Sequence, residues 1–284
     1  MNYEIREVDR FWKKNLCGSH FINEPKNTKK FFEKYRKLRY KKEFHLNTFV
    51  HWKNAKDKIL LEIGTGIGAD ATRWAEHAKY YIGIDLTEES VLASRLHFQF
   101  LNLRGNFLRA NSELLPFRSK KFDMVYSHGV LHHTPNIEKA LREIHRILKP
   151  KGEIILMLYT KDSLNYWLRI QIYFRVRFFL ELFKYKIGIR LIEPWKSHIN
   201  NFRKYGWIYF SWKNWHHHCT DGPGCPISNI YNASEIRNLL KNNGFHIKSM
   251  RKAHLPIGIF NKKIQSFLAK YFGFYQFIWA EKIF

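Results

Sequence analysis

A short apolar run that leads into three closely spaced glycines is the feature that most constrains this chain. Residues 59–63 form the run, and a second apolar run at residues 82–84 ends on Asp85. Glycine permits positive φ and a close backbone approach where a strand turns into a helix, and an acid at the tip of the next strand can accept hydrogen bonds from ribose hydroxyls. The pattern predicts an α/β domain that binds a nucleoside; a glycine turn with only a packing role is the alternative. The glycines are Gly64, Gly66 and Gly68.

The spacing of the glycines distinguishes between two cofactors. A dinucleotide-binding turn needs G-x-G-x-x-G, whereas this chain reads E-x-G-x-G-x-G from Glu62. That form resembles motif I of the class I S-adenosylmethionine-dependent methyltransferases. The resemblance covers roughly residues 50–160 and is most similar to the type 11 branch, which includes the ubiquinone/menaquinone C-methyltransferases. Four further segments resemble this branch in the same order, at residues 110–117, 121–127, 130–133 and 141–152.

The resemblance implies a site for S-adenosyl-L-methionine at the ends of the first four strands. Asn111 stands where the family usually has Asp, so its amide oxygen could accept from the adenine amino group, but without the charge. The implied contacts are Glu62, Gly64, Thr65, Gly66 and Gly68 for the amino-acid end, Asp85, Leu86, Asn111 and Ser112 for the ribose and adenine, and Ser127 with His128 facing the sulfonium.

Three histidines are the candidates for catalysis. Methyl transfer from a sulfonium is an in-line displacement, so a protein contributes mainly by aligning the reactants and excluding water. His132 and His133 follow the fourth strand, where a histidine could take a proton from a hydroxyl, amine or thiol acceptor. His128, at the end of that strand, is the third candidate. The alternative for the histidine pair is a structural role in the loop ahead of Pro135.

Alternating apolar runs and helical patterns predict one elaborated α/β domain. The family arrangement is a Rossmann-like, mostly parallel seven-stranded sheet with a C-terminal antiparallel hairpin, formed here by residues 246–253 and 275–283. Thr28 and Ser234 are predicted helix caps, and Gly244 a helix stop. The predicted strands cover residues 58–63, 80–84, 105–109, 122–127 and 153–159. The predicted parts are a helical extension over the active site (1–50), the cofactor-binding core (51–160), a helical aromatic insertion (161–222) and the rest of the core sheet (223–284).

The charge of the chain indicates a polyanion as a partner. The chain has 49 Lys and Arg against 24 Asp and Glu, a formal net charge of +25. Such a field attracts nucleic acid or an anionic membrane surface, although codon bias toward Lys and Asn is an alternative origin. The sequence contains no run of about 18 uncharged apolar residues, so we predict no membrane-spanning helix. The charged N-terminus does not resemble an export signal. We expect a cytoplasmic protein that contacts membranes peripherally.

The insertion has the most distinctive composition. Residues 164–186 predict one helix that is aromatic over most of its circumference. Three interpretations compete: a lid over the acceptor, an interfacial helix lying on anionic lipid, and a nucleic-acid surface.

A second cluster, residues 216–225, contains three histidines and two cysteines. Zinc could use Cys219, Cys225 and histidines, with Cys17 or His20 from the N-terminal extension. The close C-x₂₋₄-C pairing of structural zinc is absent from the sequence, so we expect no metal, and an acceptor-binding loop or an incidental surface loop instead. A site in which all three cysteines bind arsenite is a further alternative.

These observations predict a methyltransferase for a small-molecule or lipid-like acceptor, with methylation at O, N, S or C. Two alternatives remain: an RNA- or tRNA-modifying methyltransferase, and a non-catalytic protein that binds the cofactor. The fourth strand lacks the N/D-P-P-Y that accepts a flipped base, which disfavours base methylation of that kind.

Overall fold

Seven strands form a single mixed sheet in the computed structural model, which describes residues 3–255 and 261–283. Their spatial order is β3-β2-β1-β4-β5-β7-β6. Neighbours are parallel except that β7 is antiparallel to both β5 and β6. This confirms the predicted Rossmann-like sheet with a C-terminal antiparallel hairpin. The strands are β1 (Ile59–Ile63), β2 (Tyr80–Asp85), β3 (Asn106–Arg109), β4 (Phe122–His128), β5 (Leu148–Tyr159), β6 (Phe245–Ala253) and β7 (Tyr275–Lys282).

The central strands are buried on both faces, which is why they are nearly continuous apolar runs. Four of the five residues of β1 are buried, and so are all but two residues of β4. β5 begins at Leu148, earlier than predicted, because Leu148 pairs with Phe122 before the register shifts along β4.

Helices cover both faces of the sheet. Asn232, not the predicted Ser234, caps α10, because its side chain accepts from the backbone N–H of Glu235 in a capping box. Thr28 caps α2 as predicted. The helices are α1 (Tyr3–Lys14), α2 (Lys29–Lys42), α3 (Leu46–Phe49), α4 (Ala69–Ala75), α5 (Glu88–Leu101), α6 (Ile137–Ile147), α7 (Phe174–Lys186), α8 (Trp195–Tyr205), α9 (Trp212–Thr220), α10 (Ala233–Asn242) and α11 (Lys262–Phe272).

The insertion after β5 is helical, as expected. A π-helical segment, Asn165–Tyr173, continues directly into α7. The inner side of this helix packs on a small aromatic core around Trp215, whose Nε1–H donates to the Ile170 carbonyl at 2.8 Å. Phe178 is fully buried against this tryptophan. Within residues 3–255 and 261–283, no helix is both long and apolar enough to cross a bilayer.

Candidate active site

A crevice of about 150 Å³ opens at the carboxyl ends of β1, β2 and β4. Ligands of open α/β sheets bind at this edge, because the loops after the strands diverge there. Ten of the residues proposed from the sequence line this crevice: Glu62, Gly64, Thr65, Gly66, Asp85, Leu86, Asn111, Ser112, His128 and His133.

The first two glycines have different reasons to lack a side chain. Gly64 has φ +81°, and a Cβ atom there would lie 2.1 Å from Cγ2 of Val130. Gly66 has φ +54°, but a Cβ atom there would meet nothing within 4 Å. Gly64 is therefore required by packing, whereas Gly66 presents bare backbone to the crevice, where a ligand can approach it.

Asp85 is held in place by the turns on either side of it. Its Oδ2 accepts from the backbone N–H of Gly66 at 3.0 Å, and its Oδ1 accepts from the backbone N–H of Thr87 at 3.0 Å. Burial raises the pKa of this carboxyl, and these hydrogen bonds oppose the rise. The Thr87 hydroxyl also donates to Oδ1 at 3.1 Å, so a further lone pair remains on Oδ2, and this oxygen fits a ribose hydroxyl as the sequence predicted.

Glu62 is a buried carboxylate with no ion pair to a cation among residues 3–255 and 261–283. The hydroxyl of Tyr81 donates to its Oε2 at 2.7 Å. Burial, followed by the charge of Asp70, raises the pKa of Glu62 well above its ordinary value. A cationic amino group in the crevice would offset both effects. The amino-acid end of S-adenosylmethionine has such a group, so the residues present fit this cofactor.

Three of the proposed residues lie outside the crevice lining. Gly68 starts α4 and approaches Ser94, so its role is packing between helices. The Ser127 hydroxyl is buried and donates to the Ile63 carbonyl at 3.2 Å, which ties β4 to β1. His132 is fully buried against the ring of Tyr159. These positions favour structural roles over the cofactor contacts and the catalysis predicted for them.

His133 has a buried ring nitrogen, Nε2, that has no hydrogen-bond partner among the described residues. Its Nδ1–H donates to the Ile227 carbonyl at 2.6 Å, since a carbonyl can only accept. The neutral ring therefore carries a lone pair on Nε2, which lies 3.6 Å from Oδ2 of Asp221. The other carboxylate oxygen of Asp221 accepts from the Tyr159 hydroxyl at 3.2 Å. Nε2 can accept a proton, and Asp221 would then stabilise the imidazolium.

Both ring nitrogens of His128 lie close to charged neighbours. Arg39 can only donate, so Nδ1 of His128 accepts from its Nη2 at 3.1 Å and the ring proton is on Nε2. Nε2 lies 3.2 Å from Oε2 of Glu43. Burial and the charge of Arg39 lower the pKa of His128 to about 3. This environment favours a positioning role for His128 over the predicted proton transfer.

A charged cluster that the sequence did not predict contacts His128. Arg39 binds Asp70 through Nη2 at 2.7 Å and Glu43 through Nη1 at 2.6 Å. Tyr126 donates to Asp70 at 2.9 Å. Burial opposes ionisation of Asp70, but Arg39 lowers its pKa to about 2. The cluster joins α2, α4 and β4, and its signal in the sequence was an acid, Asp70, between Ala69 and Ala71 at the start of α4.

Two groups within the described residues have metal-ligand side chains near one another. The first, Glu43, His45 and His128, is unsuited to a cation because Arg39 forces the ring proton of His128 onto the nitrogen that faces Glu43. The second brings His133 and Asp221 to Cys225, one of the cysteines of the predicted cluster.

The remaining histidines of the 216–225 cluster have other partners. His217 accepts from the backbone N–H of Ser228 at 2.8 Å, and His218 stacks on Tyr209. Cys17, Cys219 and Cys225 are all free thiols, and they do not form a three-thiol group within residues 3–255 and 261–283.

The N-terminal helix α1 covers the crevice. Ile5, Val8 and Trp12 line it from above, and the Trp12 ring meets the ring of His133 edge-on at 4.9 Å. This apolar cover excludes water from the reacting region. Whether the extension acts as the predicted cover during turnover stays a prediction.

A much larger cavity, of about 1610 Å³, adjoins the crevice. The two share the side chains of Trp12, Cys17, Tyr35 and Arg39. Only two carboxylates, Glu43 and Asp221, are among its described lining residues. The described lining contains nine cationic residues: Arg39, Lys41, Lys42, Arg169, Arg237, Arg251, Lys252, Lys262 and Lys270.

Comparisons with known proteins agree with this geometry. The family model described as "Methyltransferase domain" matches residues 61–156. The ubiquinone/menaquinone biosynthesis C-methyltransferase of Rickettsia prowazekii is 33% identical over 110 residues, or 36% of this chain and 44% of that protein. The 24-methylenesterol C-methyltransferase 2 of Arabidopsis thaliana is 33% identical over 99 residues, or 32% of this chain and 26% of that protein. The chain thus spans less than half the length of these relatives.

A solved structure shows the same fold over nearly the whole chain. Magnesium protoporphyrin IX methyltransferase from Synechocystis PCC 6803, determined with bound S-adenosylhomocysteine, has a TM-score of 0.58 at 12% identity and covers 98% of this chain and 99% of that chain. The match identifies residues 61–156 as a methyltransferase domain, and the chain as a whole has the fold of the class I S-adenosylmethionine-dependent methyltransferases.

Proposed function

We propose that this protein transfers a methyl group to a small or lipid-like acceptor that carries an acidic group. The observation that carries the proposal is the meeting of the cofactor crevice with the large basic cavity at Trp12, Cys17, Tyr35 and Arg39. An acceptor in that cavity would lie beside the crevice, against the four side chains that line both. Nine cations against two carboxylates on the cavity wall favour an anion.

The apolar parts of the cavity favour an acceptor with a hydrocarbon or ring portion. Phe44, Phe49 and Leu255 are among its lining residues. The relatives described above are named for a quinone pathway and for a sterol, both largely apolar acceptors. An amphiphilic acid combines the two chemistries that this wall offers.

His133 is the proposed general base. When bound, the cofactor supplies an electrophilic methyl group on its sulfonium. The Nε2 lone pair of His133 would take the proton of a hydroxyl, amine or thiol, and Asp221 would stabilise the resulting charge. The Trp12 ring would exclude water from the same place. For a carbon acceptor, the same base would remove the proton that the new bond displaces.

The test measures formation of S-adenosylhomocysteine with a panel of quinols, phenols, thiols and amines, each offered with and without a carboxylate or phosphate. Turnover with an acidic member, and slower turnover with its neutral partner, would support the proposal. Turnover with tRNA in place of any small acceptor would favour the RNA-modifying alternative. Cofactor binding by calorimetry without turnover on any member would favour the non-catalytic alternative.

A pair of variants separates the cavity from the crevice. Arg237→Gln and Arg251→Gln remove cations from the cavity wall and should raise KM for the acidic acceptor about tenfold, as expected when one charge-assisted hydrogen bond is lost. The cofactor Kd should not change. Arg142→Gln, at an exposed site outside the described cavity lining, is the matched control. Unchanged KM in both cavity variants would place the acceptor elsewhere.

A further inference from the structure

The insertion carries a continuous exposed apolar surface. Phe183 is 63% exposed and Trp207 is 70% exposed, and aromatic contacts through Phe210 connect α7 to the segment around Trp207. Trp167 contacts Trp212 with ring centroids 6.1 Å apart. We define the insertion surface as Trp167, Leu168, Ile172, Val176, Phe179, Leu180, Phe183, Trp207, Ile208 and Trp212, all of which are exposed.

The members of this surface that belong to the helix form one stripe along it. From Leu168, the exposed apolar positions recur every three or four residues through Phe183, which places them on one face. The opposite side of the helix is engaged inside the protein: Glu181 is buried and bridges Arg177 and Lys184 at 2.7 and 3.0 Å. A soluble monomer rarely exposes so large an apolar patch without a partner.

The segment that carries this surface is rich in cations and poor in acids. Residues 164–212 contain nine Lys and Arg but only two carboxylates, Glu181 and Glu193. Glu181 is already neutralised within the fold. The exposed cations near the surface in sequence are Lys186, Arg190, Lys196, Arg203 and Lys204.

We propose that the insertion surface docks on an anionic phospholipid bilayer, with α7 lying in the plane of the interface. Aliphatic residues of the stripe would enter the acyl boundary, tryptophans would lie at the headgroup level, and the cations would meet lipid phosphates. A second copy of this chain would bring two cationic rims together, which is unfavourable. Nucleic acid would satisfy the cations, but it offers no hydrocarbon to the stripe of Ile172, Val176 and Leu180.

Arg169, which follows Leu168 in the π-helical segment, lines the large cavity, so the surface and the cavity meet at neighbouring residues of one helix. An amphiphilic acid could therefore pass between bilayer and cavity along one side of the protein. The docking itself does not depend on the proposed function, because it can be measured without any turnover.

The experiment is co-sedimentation of the full chain with vesicles of phosphatidylcholine alone or mixed equally with phosphatidylglycerol. We expect binding to the anionic vesicles to be at least about tenfold stronger, and to weaken with salt. The double variant Leu180→Ser, Phe183→Ser should bind about 100-fold more weakly, at about tenfold per side chain. Leu92→Ser, in α5 and 47% exposed, is the matched control and should bind as the unaltered protein does.

Three outcomes would overturn the proposal. Binding of the double variant as tight as that of the control, with unchanged thermal unfolding, would exclude the stripe as the membrane-binding surface. Equal binding of the unaltered protein to neutral and anionic vesicles would exclude the role of charge. Failure to bind either vesicle, together with a dimer that the double variant dissociates, would assign the surface to contact between copies.

Discussion

Gly64 and Gly66 should fail in different ways when each is replaced by alanine. Both have positive φ, so alanine costs about 1–2 kcal/mol at either position for the left-handed backbone alone. At Gly64 the new Cβ would also lie 2.1 Å from Val130 Cγ2. Overpacking of that kind adds about 1–3 kcal/mol. The expected loss of unfolding free energy is therefore about 2–5 kcal/mol for Gly64→Ala and about 1–2 kcal/mol for Gly66→Ala.

Cofactor binding should be weakened more by alanine at Gly66 than by alanine at Gly64, which is the reverse of the order expected for stability. A Cβ at Gly66 would project into open space that belongs to the crevice. A bound nucleoside would then have to shift, and a clash of about 1–3 kcal/mol corresponds to a Kd raised about 5- to 150-fold. Calorimetric titration with S-adenosylmethionine measures this Kd, and urea denaturation measures the stability of the same samples.

A second substitution tests the cause of the Gly64 effect. In the Gly64→Ala, Val130→Ala double variant both γ-methyl groups of Val130 are gone and only its Cβ, 2.9 Å from the new Cβ, still overlaps, so part of the lost stability should return, with a coupling of about 0.5–3 kcal/mol. The Gly66→Ala variant should show no such coupling to Val130. If Gly66→Ala binds the cofactor with unchanged Kd, the backbone there does not approach the ligand, and the reasoning fails.

Three further predictions concern the ionisable groups. Asp70→Asn should lower the free energy of unfolding by about 3–5 kcal/mol, because Arg39 is left buried without its main counter-charge. Glu138→Gln, which breaks an exposed ion pair, should change the free energy of unfolding little. Equal effects of the two variants in urea denaturation would contradict this account. His133→Gln should lower kcat about 10²- to 10⁴-fold while leaving the cofactor Kd unchanged; an unchanged kcat would make its role structural. Burial lowers the pKa of His97 from 6.5 to about 4, so the folded protein binds fewer protons at this group, and the stability that the group contributes is complete above pH 6.5 and is lost as the pH falls toward 4. At pH 5 the loss of unfolding free energy is about 2 kcal/mol. Thermal unfolding of His97→Gln should therefore depend less on pH than that of the unaltered protein, and identical pH profiles would refute this prediction.

The local signals in the sequence were strong where a segment's own residues decide its structure. The buried runs of β1 and β4 read as strands because both faces of the sheet are covered, and the cap at Thr28 follows from a hydroxyl beside free backbone N–H groups. At α10 two cap residues lay close together, and the reciprocal bond with Glu235 selected Asn232 over Ser234. Sequence spacing alone does not rank such competing caps.

Side-chain direction was not predictable in the same way. Ser127 and His128 are adjacent, but successive strand residues point to opposite faces, so only His128 lines the crevice. His132 and His133 are likewise adjacent, and one is enclosed in the core while the other has a free nitrogen near Asp221. That carboxylate is distant in sequence, so no local pattern connects it to the histidine.

The amino-acid sequence by itself determined the sheet, the glycine turn, the acid at the end of β2 and hence the cofactor, because each depends on residues a few positions apart. Only the tertiary structure decided which groups share an environment. It paired Arg39 with Asp70 and His128, joined a basic cavity to the crevice, and left one side of the insertion helix exposed. Those features depend on contacts between distant segments, and burial and charge at such contacts are properties of the assembled fold.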